Sequence, residues 1–360
     1  MVTDGRFMRR ALFHAARATG ATTPNPVVGA VVVDADGVVV GQGRHERAGG
    51  PHAEVNALDE AGTRAAGATL YVTLEPCCHV GRTGPCTERI LAAGVRRVVA
   101  ATHDPNPVVA GRGVARLREA GLEVEVGLEE VAARRLNAGY LTATERRRPL
   151  IVLKAAVSAD GRIAAAPGVR TALTGPAAGR RTQRLRAAVD AIAVGAGTVL
   201  ADDPRLSIRD VVRDRPWARV VFDRRLRTPL DGALFSTPDE GRVIMVTTAE
   251  QHGRAAERVA ALESRGATMV CADTLDLACT QLAALGLHAL LVEGGAALHR
   301  SFWEADLVDR LHLVVAPARL GAAGVPLFGG LGVPWARLSA VRAEACGDDV
   351  WIEADVHRDR

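Results

Sequence analysis

A histidine, a glutamate and two cysteines in the first third of the sequence have the types and spacing of a catalytic zinc centre. His52 and Glu54 are separated by one alanine, and Cys77 and Cys86 each follow a proline. One imidazole and two thiolates leave the fourth tetrahedral position of zinc to water, as in catalytic rather than closed structural sites. A carboxylate beside such a water can move its proton to a leaving group. We therefore predict His52, Cys77 and Cys86 as zinc ligands and Glu54 as the catalytic acid and base.

A His-x-Glu followed by Pro-Cys and a further cysteine is the pattern of the zinc nucleobase deaminases. Eight residues separate Cys77 from Cys86, where the general signature has two. The segment between them contains His79 and Arg82, residue types that suit a phosphorylated substrate. The alternative is a structural zinc site with His79 as fourth ligand. Cys78 competes with Cys77, but adjacent residues rarely reach one tetrahedral ion together, so we take Cys77.

The elements that position these residues follow from the apolar pattern. Helices are predicted over 4–19, 52–61, 86–93, 113–120 and 129–143, and strands over 27–33, 38–40, 68–74, 95–101 and 122–126. His52 and Glu54 then lie in the first turn of one helix, Cys77 follows a strand, and Cys86 begins another helix. This alternation predicts a three-layer α/β domain with the proposed ligands at the ends of its elements.

A polar segment from Glu145 to Pro149 is the best candidate linker, so we predict domains over 1–145 and 149–360. Strands are predicted over 150–156, 191–194, 219–222, 243–246, 289–292 and 311–315, and helices over 177–188, 255–263, 275–285 and from 296 onward. In the second domain a glycine pair follows Glu293 and precedes a helix, which favours a pyrophosphate. No complete Gly-x-Gly-x-x-Gly is present, so a Rossmann domain is not supported. The segment Asp202-Asp203 either binds a metal or forms a capping turn.

Composition indicates an ordinary soluble globular protein. A length of 360 residues, with 48% hydrophobic and 24% charged, favours two domains. A net charge of +4 and an aromatic content of 3% are too low to indicate a nucleic-acid-binding surface. Without a membrane-length apolar run or a secretory signal, we expect a cytoplasmic protein whose cysteines are thiols or metal ligands. Lys154 is the only lysine, which reflects either a need for a compact ammonium or chance.

Over essentially its whole length the chain resembles the bifunctional riboflavin-biosynthesis deaminase/reductase family. The N-terminal motifs are Asn25-Pro26-Val27-Val28-Gly29, His52-Ala53-Glu54, Thr73-Leu74-Glu75-Pro76-Cys77, Pro85-Cys86 and Asp104-Pro105-Asn106-Pro107. The C-terminal motifs are Leu153-Lys154-Ala155-Ala156, Ser158-Ala159-Asp160-Gly161-Arg162, Gly195-Ala196-Gly197-Thr198, Ala201-Asp202-Asp203-Pro204 and Glu293-Gly294-Gly295. The long cysteine spacing is typical of that family.

The resemblance implies an N-terminal three-layer α/β/α cytidine-deaminase-like domain and a C-terminal dihydrofolate-reductase-like α/β domain that uses NADPH. It implies zinc-dependent deamination of 2,5-diamino-6-ribosylamino-4(3H)-pyrimidinone 5′-phosphate, then reduction of the ribosyl group to give 5-amino-6-ribitylaminouracil 5′-phosphate. We expect a homo-oligomer that acts on this small molecule and binds neither nucleic acid nor membrane. The alternatives are an active deaminase with a degenerate reductase domain, and a zinc-stabilised RNA-binding module.

Matching the family residue by residue implies the contacts at both sites. Around the deaminase substrate the resemblance places Asn25, His45, His79, Arg82, Asp104 and Asn106. In the reductase it places Arg170, Arg186, Leu206, Arg209 and Glu293 on the substrate, with arginines on its phosphate, and Lys154 in the active-site strand. On NADPH it places Ala156, Ala172, Thr198, Asp202, Arg224, Gly294, Gly295, Ala296, Ala297, Leu298 and His299.

Two of these positions depart from the family, and two roles stay open. Ala172 replaces a common tryptophan and Arg170 a substrate-contacting serine, so cofactor stacking is weaker or comes from elsewhere. Lys154 either polarises the sugar oxygen or binds phosphate. Arg224 either pairs with the 2′-phosphate of NADPH or is an ordinary surface arginine.

Overall fold

The structure is a computed structural model that describes residues 2–80, 84–213, 215–237, 240–333 and 335–356. The chain forms two compact units, Met1–Arg147 and Arg148–Arg360. In the described part of the chain, no helix combines the length and the apolar character needed to cross a bilayer.

The N-terminal unit is a five-stranded sheet with helices on both faces. Its helices are α1 (Val2–Ala16), α2 (Ala53–Ala61), α3 (Cys86–Ala92), α4 (Arg112–Glu119), α5 (Glu130–Leu136) and α6 (Ala138–Arg146). Its strands are β1 (Gly29–Val33), β2 (Val39–Arg44), β3 (Thr69–Val72), β4 (Arg97–Ala100) and β5 (Glu123–Val126). The strand order is β2-β1-β3-β4-β5, with β1 antiparallel to both neighbours and the last three strands parallel.

Strand β1 shows why the unit has three layers. All five of its residues are buried, and successive side chains of a strand point to opposite faces. Ala30 and Val32 pack into one apolar cluster with α2, while Val31 and Val33 pack into another with α1. A continuous apolar strand is therefore what a sheet covered on both faces requires.

Helix α2 lies unusually close to the edge strand β2. A Cβ atom on Gly41 would come within 2.1 Å of the Ala57 carbonyl oxygen, and one on Gly43 within 2.5 Å of the Ala53 carbonyl oxygen. Only glycine permits this approach of two backbones. The two glycines thus fix the position of the helix that begins just after His52.

The prediction of one helix over 129–143 was wrong, because the chain breaks at Asn137. This residue has φ −94° and ψ 15°, and it separates α5 from α6. Its buried side chain accepts a hydrogen bond from the Val27 amide and donates one to the Val27 carbonyl, both at 2.9 Å. A short polar side chain bonded to distant backbone competes with a continuous helix. The predicted helix 4–19 also ends earlier, at Ala16.

The C-terminal unit contains a nine-stranded sheet and six α-helices within its described residues. The helices are α7 (Pro176–Ala188), α8 (Ala196–Asp202), α9 (Ala249–Arg254), α10 (Ala256–Ser264), α11 (Leu275–Ala284) and α12 (Ala296–Glu304). The strands are β6 (Leu150–Ser158), β7 (Arg162–Ala164), β8 (Ala191–Gly195), β9 (Ala218–Phe222), β10 (Arg242–Thr247), β11 (Ala267–Cys271), β12 (Ala289–Gly294), β13 (Arg310–Ala316), β14 (Val325–Pro326), β15 (Leu338–Cys346) and β16 (Asp349–Val356).

The order of the large sheet is β11-β10-β9-β8-β12-β6-β13-β16-β15, and β7 pairs with β14 separately. Strands β11 to β13 in this order are parallel, and β16 and β15 continue the sheet in antiparallel pairing. The central strands β8, β12 and β6 are mostly buried and contribute to the main apolar cluster. Their carboxyl ends meet at one edge, which is where ligands bind in such sheets.

Candidate active sites

The three predicted zinc ligands come together in the N-terminal unit. His52 is the N-cap of α2, Cys86 is the first residue of α3, and Cys77 follows β3. Their possible ligand atoms all lie within 4.8 Å of one another. The His52 Nδ1 atom is 3.1 Å from the Cys86 Sγ atom and 3.5 Å from the Cys77 Sγ atom. One nitrogen and two sulfurs at this spacing form a donor set that fits zinc.

The surroundings of Cys77 favour its thiolate. The Cys86 amide donates to the Cys77 sulfur at 3.3 Å. The Cys86 thiol, and then the His52 ring, lower the pKa of the Cys77 thiol well below its usual range, although burial opposes the shift. Because the thiolate is the form that binds metal, this environment prepares the ligand.

Cys78 and His79 lie outside the group of three. Within the described residues, neither joins the cluster of possible metal ligands. His79 instead lines the adjoining cavity, where its Nδ1 atom is buried and has no hydrogen-bond partner among the residues that the structure describes. Three protein ligands beside a cavity are the arrangement of a catalytic zinc site, so a closed site that uses His79 is disfavoured.

Glu54 lies in the first turn of α2 and is 4% exposed. Burial raises the pKa of its carboxyl group. The side chain lines a cavity of about 360 Å³, together with His52 and Cys77. A carboxyl group held beside the metal donors and facing the cavity can exchange protons with a molecule bound there.

Asn25 and His45 form a hydrogen-bonded pair at this cavity. The His45 Nδ1 atom lies 2.9 Å from the Pro51 carbonyl oxygen, so it must carry the proton and donate. Burial lowers the pKa of the His45 ring, which favours its neutral form, in which Nε2 accepts. The Asn25 Nδ2 atom, at 3.0 Å, is then the donor, and the Asn25 carbonyl oxygen stays available to a ligand.

Asp104 and Asn106 lie on the cavity wall within the second Asn-Pro turn. The Oδ1 atom of Asp104 accepts the Asn106 amide and the Tyr140 hydroxyl, each at 2.9 Å. Burial raises the pKa of Asp104. Tyr140 belongs to α6 and also lines the cavity, but no motif in the sequence singled it out. Arg82, the remaining residue predicted at this site, lies outside the described residues.

Glu75 holds the second Asn-Pro turn against the zinc site. Its buried carboxylate accepts hydrogen bonds from the His103 ring at 2.9 Å and from the amides of Gly111 and Val114 at 3.0 Å. The Asp104 amide donates to it at 3.3 Å. Burial opposes the shift, yet these donors hold the pKa of Glu75 below its usual value. Glu75 appeared in the sequence only as part of the motif before Cys77, and its positioning role follows from these tertiary contacts.

A second cavity, of about 580 Å³, lies at the carboxyl ends of the central strands of the C-terminal unit. Most of the residues predicted for the reductase line it. These are Lys154, Ala156, Arg170, Thr198, Asp202, Glu293, Gly294, Gly295, Ala296, Ala297, Leu298 and His299. The sequence motifs of this half therefore converge on one place.

Three charged side chains are coupled at this cavity. Arg186 forms a bidentate ion pair with Glu293, with nitrogen–oxygen distances of 2.7 and 2.6 Å. It also donates a hydrogen bond to the Ser207 carbonyl oxygen at 2.7 Å. Burial lowers the pKa of Lys154, which Glu293 partly opposes. Although buried, Glu293 keeps a pKa below its usual value because of Arg186 and Lys154.

The glycine pair at the end of β12, Gly294 and Gly295, brings backbone close to Thr198. Gly294 has φ +142°, which disfavours other residues, and a Cβ atom on Gly295 would lie 3.3 Å from the Thr198 hydroxyl. Burial lowers the pKa of His299, at the end of this turn, to about 4, so its ring is neutral at pH 7. This backbone cradle at the start of α12 fits a phosphorylated cofactor.

A third cavity, of about 350 Å³, shares Gly195, Gly197, Ala297 and Leu298 with the second. Arg224 lines it, as do Arg225 and Arg227. Their loop is fixed by the buried Asp223 carboxylate, which accepts hydrogen bonds from the Arg225 amide and from Thr228. The two cavities together provide room for a dinucleotide, with arginines at one end.

Four of the predicted reductase residues do not line these cavities in the described structure. Arg186 contacts a lining residue, Glu293, through its ion pair but is not itself part of the lining. Ala172 is exposed, Leu206 is buried in a core cluster with φ +54°, and Arg209 is exposed. Asp203, considered as a metal ligand, instead accepts the Ala233 amide at 2.7 Å, and no metal-binding cluster among the described residues includes it. The capping-turn interpretation of Asp202-Asp203 is thus the better one.

Comparison with known proteins finds a different protein family in each part of the chain. The family described as the cytidine and deoxycytidylate deaminase zinc-binding region matches residues 1–102, and the RibD C-terminal domain matches residues 149–352. The riboflavin biosynthesis protein RibD of Aquifex aeolicus is 41% identical over 320 residues, which cover 88% of each chain. The RibD of Escherichia coli is 42% identical over 334 residues and 89% of each chain.

Two solved structures are similar to this chain over nearly all of its length. The structure of Acinetobacter baumannii RibD superimposes with a TM-score of 0.89 at 36% identity and covers 99% of both chains. A Thermotoga maritima structure described as a diaminohydroxyphosphoribosylaminopyrimidine deaminase/5-amino-6-(5-phosphoribosylamino)uracil reductase has a TM-score of 0.87 at 32% identity, covering 98% of this chain and 99% of that one.

The fold and the two sites define an enzyme that joins a zinc-binding deaminase domain to an NADPH-dependent reductase domain. The chain belongs to the RibD family of riboflavin biosynthesis proteins. The predicted family, α/β fold class and cofactors are confirmed, and neither a degenerate reductase nor an RNA-binding module is favoured.

Proposed function

We propose that this chain catalyses two consecutive steps, with the deaminase in residues 1–145 and the reductase in residues 149–360. The substrate is 2,5-diamino-6-ribosylamino-4(3H)-pyrimidinone 5′-phosphate, and the final product is 5-amino-6-ribitylaminouracil 5′-phosphate. The observation that carries the proposal is the cluster of His52, Cys77 and Cys86 with Glu54 buried beside it at a cavity. The activities named for the Thermotoga maritima relative support the choice of substrate.

In the deaminase, Glu54 moves protons. Zinc, when held by His52, Cys77 and Cys86, supplies the Lewis acid that makes a water molecule nucleophilic at neutral pH. The Glu54 carboxylate accepts a proton from this water and delivers it to the amino group on the attacked ring carbon. The carbon–nitrogen bond breaks, a carbonyl forms and ammonia leaves. The raised pKa of Glu54 suits a group that must both take and give a proton.

The cavity wall orients the pyrimidine and its sugar. The Asn25 carbonyl oxygen accepts from a ring N–H, since its amide nitrogen is engaged by His45. Asp104 and Asn106 face the ribosyl group from the other turn. His79 and Arg82 contact the phosphate end, as the family resemblance implies.

In the reductase, Lys154 and Glu293 lie on the neighbouring parallel strands β6 and β12. NADPH, when bound, supplies the hydride that reduces C1′ of the ring-opened ribosyl group. The Lys154 ammonium polarises the sugar oxygen, while Glu293 orients the sugar. The turn from Gly294 to His299 holds the cofactor with Ala156, Thr198 and Asp202, and Arg224 pairs with its 2′-phosphate.

The remaining reductase contacts rest on the family resemblance alone. Arg170, Arg186, Leu206 and Arg209 hold the substrate, and the Arg186–Glu293 pair ties the segment around Ser207 to the cavity. Ala172 replaces the family's stacking tryptophan and is exposed, so cofactor stacking there is weak.

The test is a measurement of metal content and of ammonia release from the diaminopyrimidine substrate, with and without NADPH. We expect one zinc per chain, ammonia release in both cases, and NADPH oxidation that follows deamination. Ammonia release without NADPH oxidation would overturn the two-step function in favour of a deaminase with a degenerate reductase. Strong salt-dependent RNA affinity without ammonia release would indicate the RNA-binding alternative.

We further propose a homo-oligomer in the cytoplasm. The support is strand β15, the outer edge of the nine-stranded sheet, whose residues from Ala340 to Ala345 are exposed. A long exposed edge is a template for pairing with another strand. Antiparallel pairing of two copies about Ala343 would set each Arg342 opposite the Glu344 of the other copy, so the edge is complementary to itself. The cytoplasmic location follows from the sequence-based expectation and from the metabolic role of the bacterial relatives.

A further inference from the structure

We propose that Asn137 and Tyr140, at the junction of α5 and α6, are positioning residues that hold the two walls of the deaminase cavity and so set its affinity for substrate. The inference rests on the proposed deaminase function. Neither residue belongs to the zinc-binding motifs, and both lie beyond the region matched by the deaminase zinc-binding family, residues 1–102.

Asn137 holds the first wall. Its side chain makes two hydrogen bonds of 2.9 Å to the backbone of a single residue, Val27, one to the amide and one to the carbonyl. Asn137 is 2% exposed and Val27 is 7% exposed, so neither backbone group has water as an alternative partner. Val27 follows Asn25 by two residues, and the turn between them lines the cavity. Asn137 therefore fixes the backbone that presents Asn25.

Tyr140, one helical turn later, holds the second wall. Its hydroxyl donates to Oδ1 of Asp104, which also accepts the Asn106 amide. Because this oxygen accepts two hydrogen bonds, the orientation of the Asp104 carboxylate is fixed. Its Oδ2 atom accepts no hydrogen bond from the described residues and is left for a ligand. A carboxylate acceptor from Asp104 and an amide oxygen from Asn25 in the lining of one cavity suit a ligand with hydroxyl and ring N–H donors, such as a ribosylated pyrimidine.

These contacts are separate from the reacting groups. Glu54 and the metal ligands lie at the start of α2, at the start of α3 and after β3, whereas the side-chain hydrogen bonds of Asn137 to Val27 and of Tyr140 to Asp104 go to the two turns. A residue that positions a binding wall should affect KM, while loss of a reacting group lowers kcat. A rise in KM without a change in kcat would therefore distinguish this positioning role from a general loss of stability.

The experiment compares Tyr140→Phe with the unaltered protein in zinc-loaded form. We expect KM for deamination to rise about tenfold, the magnitude for one hydrogen bond to a charged group. We expect kcat within about twofold and zinc content unchanged, because the metal donors are not touched. A KM equal to that of the unaltered protein, or a loss confined to kcat, would overturn the inference.

The other tyrosine of the chain provides a matched control. Tyr71 also donates its hydroxyl to a carboxylate, Asp4, at 2.5 Å, but it packs in the cluster on the face of β1 covered by α1. Tyr71→Phe should lower the melting temperature and leave KM unchanged. An equal rise in KM for both variants would show a nonspecific effect and refute the inference.

A double-variant cycle tests whether Tyr140 acts through Asp104. If it does, Tyr140→Phe combined with Asp104→Asn has the KM of Asp104→Asn alone, whereas independent effects would multiply. Asn137→Asp removes the donor to the Val27 carbonyl and should also raise KM; if this variant fails to fold, the Tyr140 series decides. Absence of ammonia release from the unaltered protein would overturn the proposed function, whereas unchanged KM in an active Tyr140→Phe variant would overturn only this inference.

Discussion

Glu54 is a buried carboxyl group whose position is set by a helix end and whose chemistry is set by its surroundings. It lies in the first turn of α2, two residues after His52, so metal donor and proton carrier share one rigid element. Burial raises its pKa. Because one side chain binds the metal and another carries the proton, a substitution can remove proton transfer and leave metal binding intact.

Glu54→Gln should retain zinc and lose ammonia release. Glutamine keeps the size of the side chain but cannot take a proton, and general acid–base catalysis contributes roughly 10²- to 10⁴-fold in rate. Zinc content by elemental analysis and the rate of ammonia release are the measurements. Glu60→Gln, on the exposed part of the same helix, is the control and should behave like the unaltered protein. Normal ammonia release by Glu54→Gln would refute the mechanism.

Lys154 should give the reductase a pH limit on the alkaline side. Burial lowers the pKa of its ammonium from the ordinary value of 10.5. If the cation is required, activity is lost as the pH rises through this lowered pKa, and therefore below pH 10.5. Lys154→Arg stays protonated, so we expect lower kcat/KM because of the different head group, but no such alkaline decline. Below this pKa, Lys154→Met should lose roughly 10²-fold or more in activity, as for loss of a charge-stabilising group. Identical pH profiles for the unaltered enzyme and Lys154→Arg would contradict this role.

Individual site residues could be predicted from the sequence where the chemistry admits few residue types. Zinc ligation admits few side chains, so the spacing of His52, Cys77 and Cys86 was enough to predict their cluster. Tyr140 and Asn137 were missed because a tyrosine or an asparagine has many ordinary roles. Their contacts with Asp104 and Val27 span 36 and 110 positions, and no local pattern reports such a distance.

Among the elements, α2 depends most directly on a neighbouring strand. Its backbone lies against β2 because Gly41 and Gly43 have no side chains there. Movement of α2 would carry His52 and Glu54 away from the two cysteines. The packing of an edge strand is thus linked to the geometry of the metal site.

Gly43→Ala should destabilise the N-terminal unit and weaken zinc binding. The added Cβ would meet the Ala53 carbonyl at 2.5 Å, a contact with backbone that only displacement of α2 relieves. Overpacking of this kind typically costs about 1–3 kcal/mol. Gly179→Ala is the matched control, because a Cβ at that position in α7 meets nothing within 4 Å. Thermal unfolding and zinc titration measure both effects, and equal behaviour of the two variants would contradict this account.

Element prediction succeeded for apolar strands and failed for short or exposed ones. The buried runs that became β1, β6 and β12 were found because strands covered on both faces are almost continuously apolar. Strand β15 was missed, since its alternating charged and small residues reflect an exposed sheet edge. Strand β16 was also missed, although it lies inside the sheet and carries the buried Trp351. Helix α8 has only seven residues, too few for a helical period to show.

For the whole molecule, the exposed edge at β15 predicts association. Arg342→Glu should shift the protein toward monomer, because like charges would then face each other across the paired edges. Light scattering after gel filtration measures the mass. Glu344→Arg combined with Arg342→Glu restores opposite charges and should restore the oligomer. An unaltered protein that is monomeric at micromolar concentration would rule out this interface.

The contacts of Asn137 and Tyr140 also determine how far the chain can be shortened before the deaminase loses its selectivity for substrate. A chain shortened after β5 would keep the whole five-stranded sheet, every metal ligand and Glu54. It would lose the helix that braces both turns of the cavity. Such a fragment should bind metal yet discriminate poorly among pyrimidines, so the smallest selective deaminase extends to the end of α6.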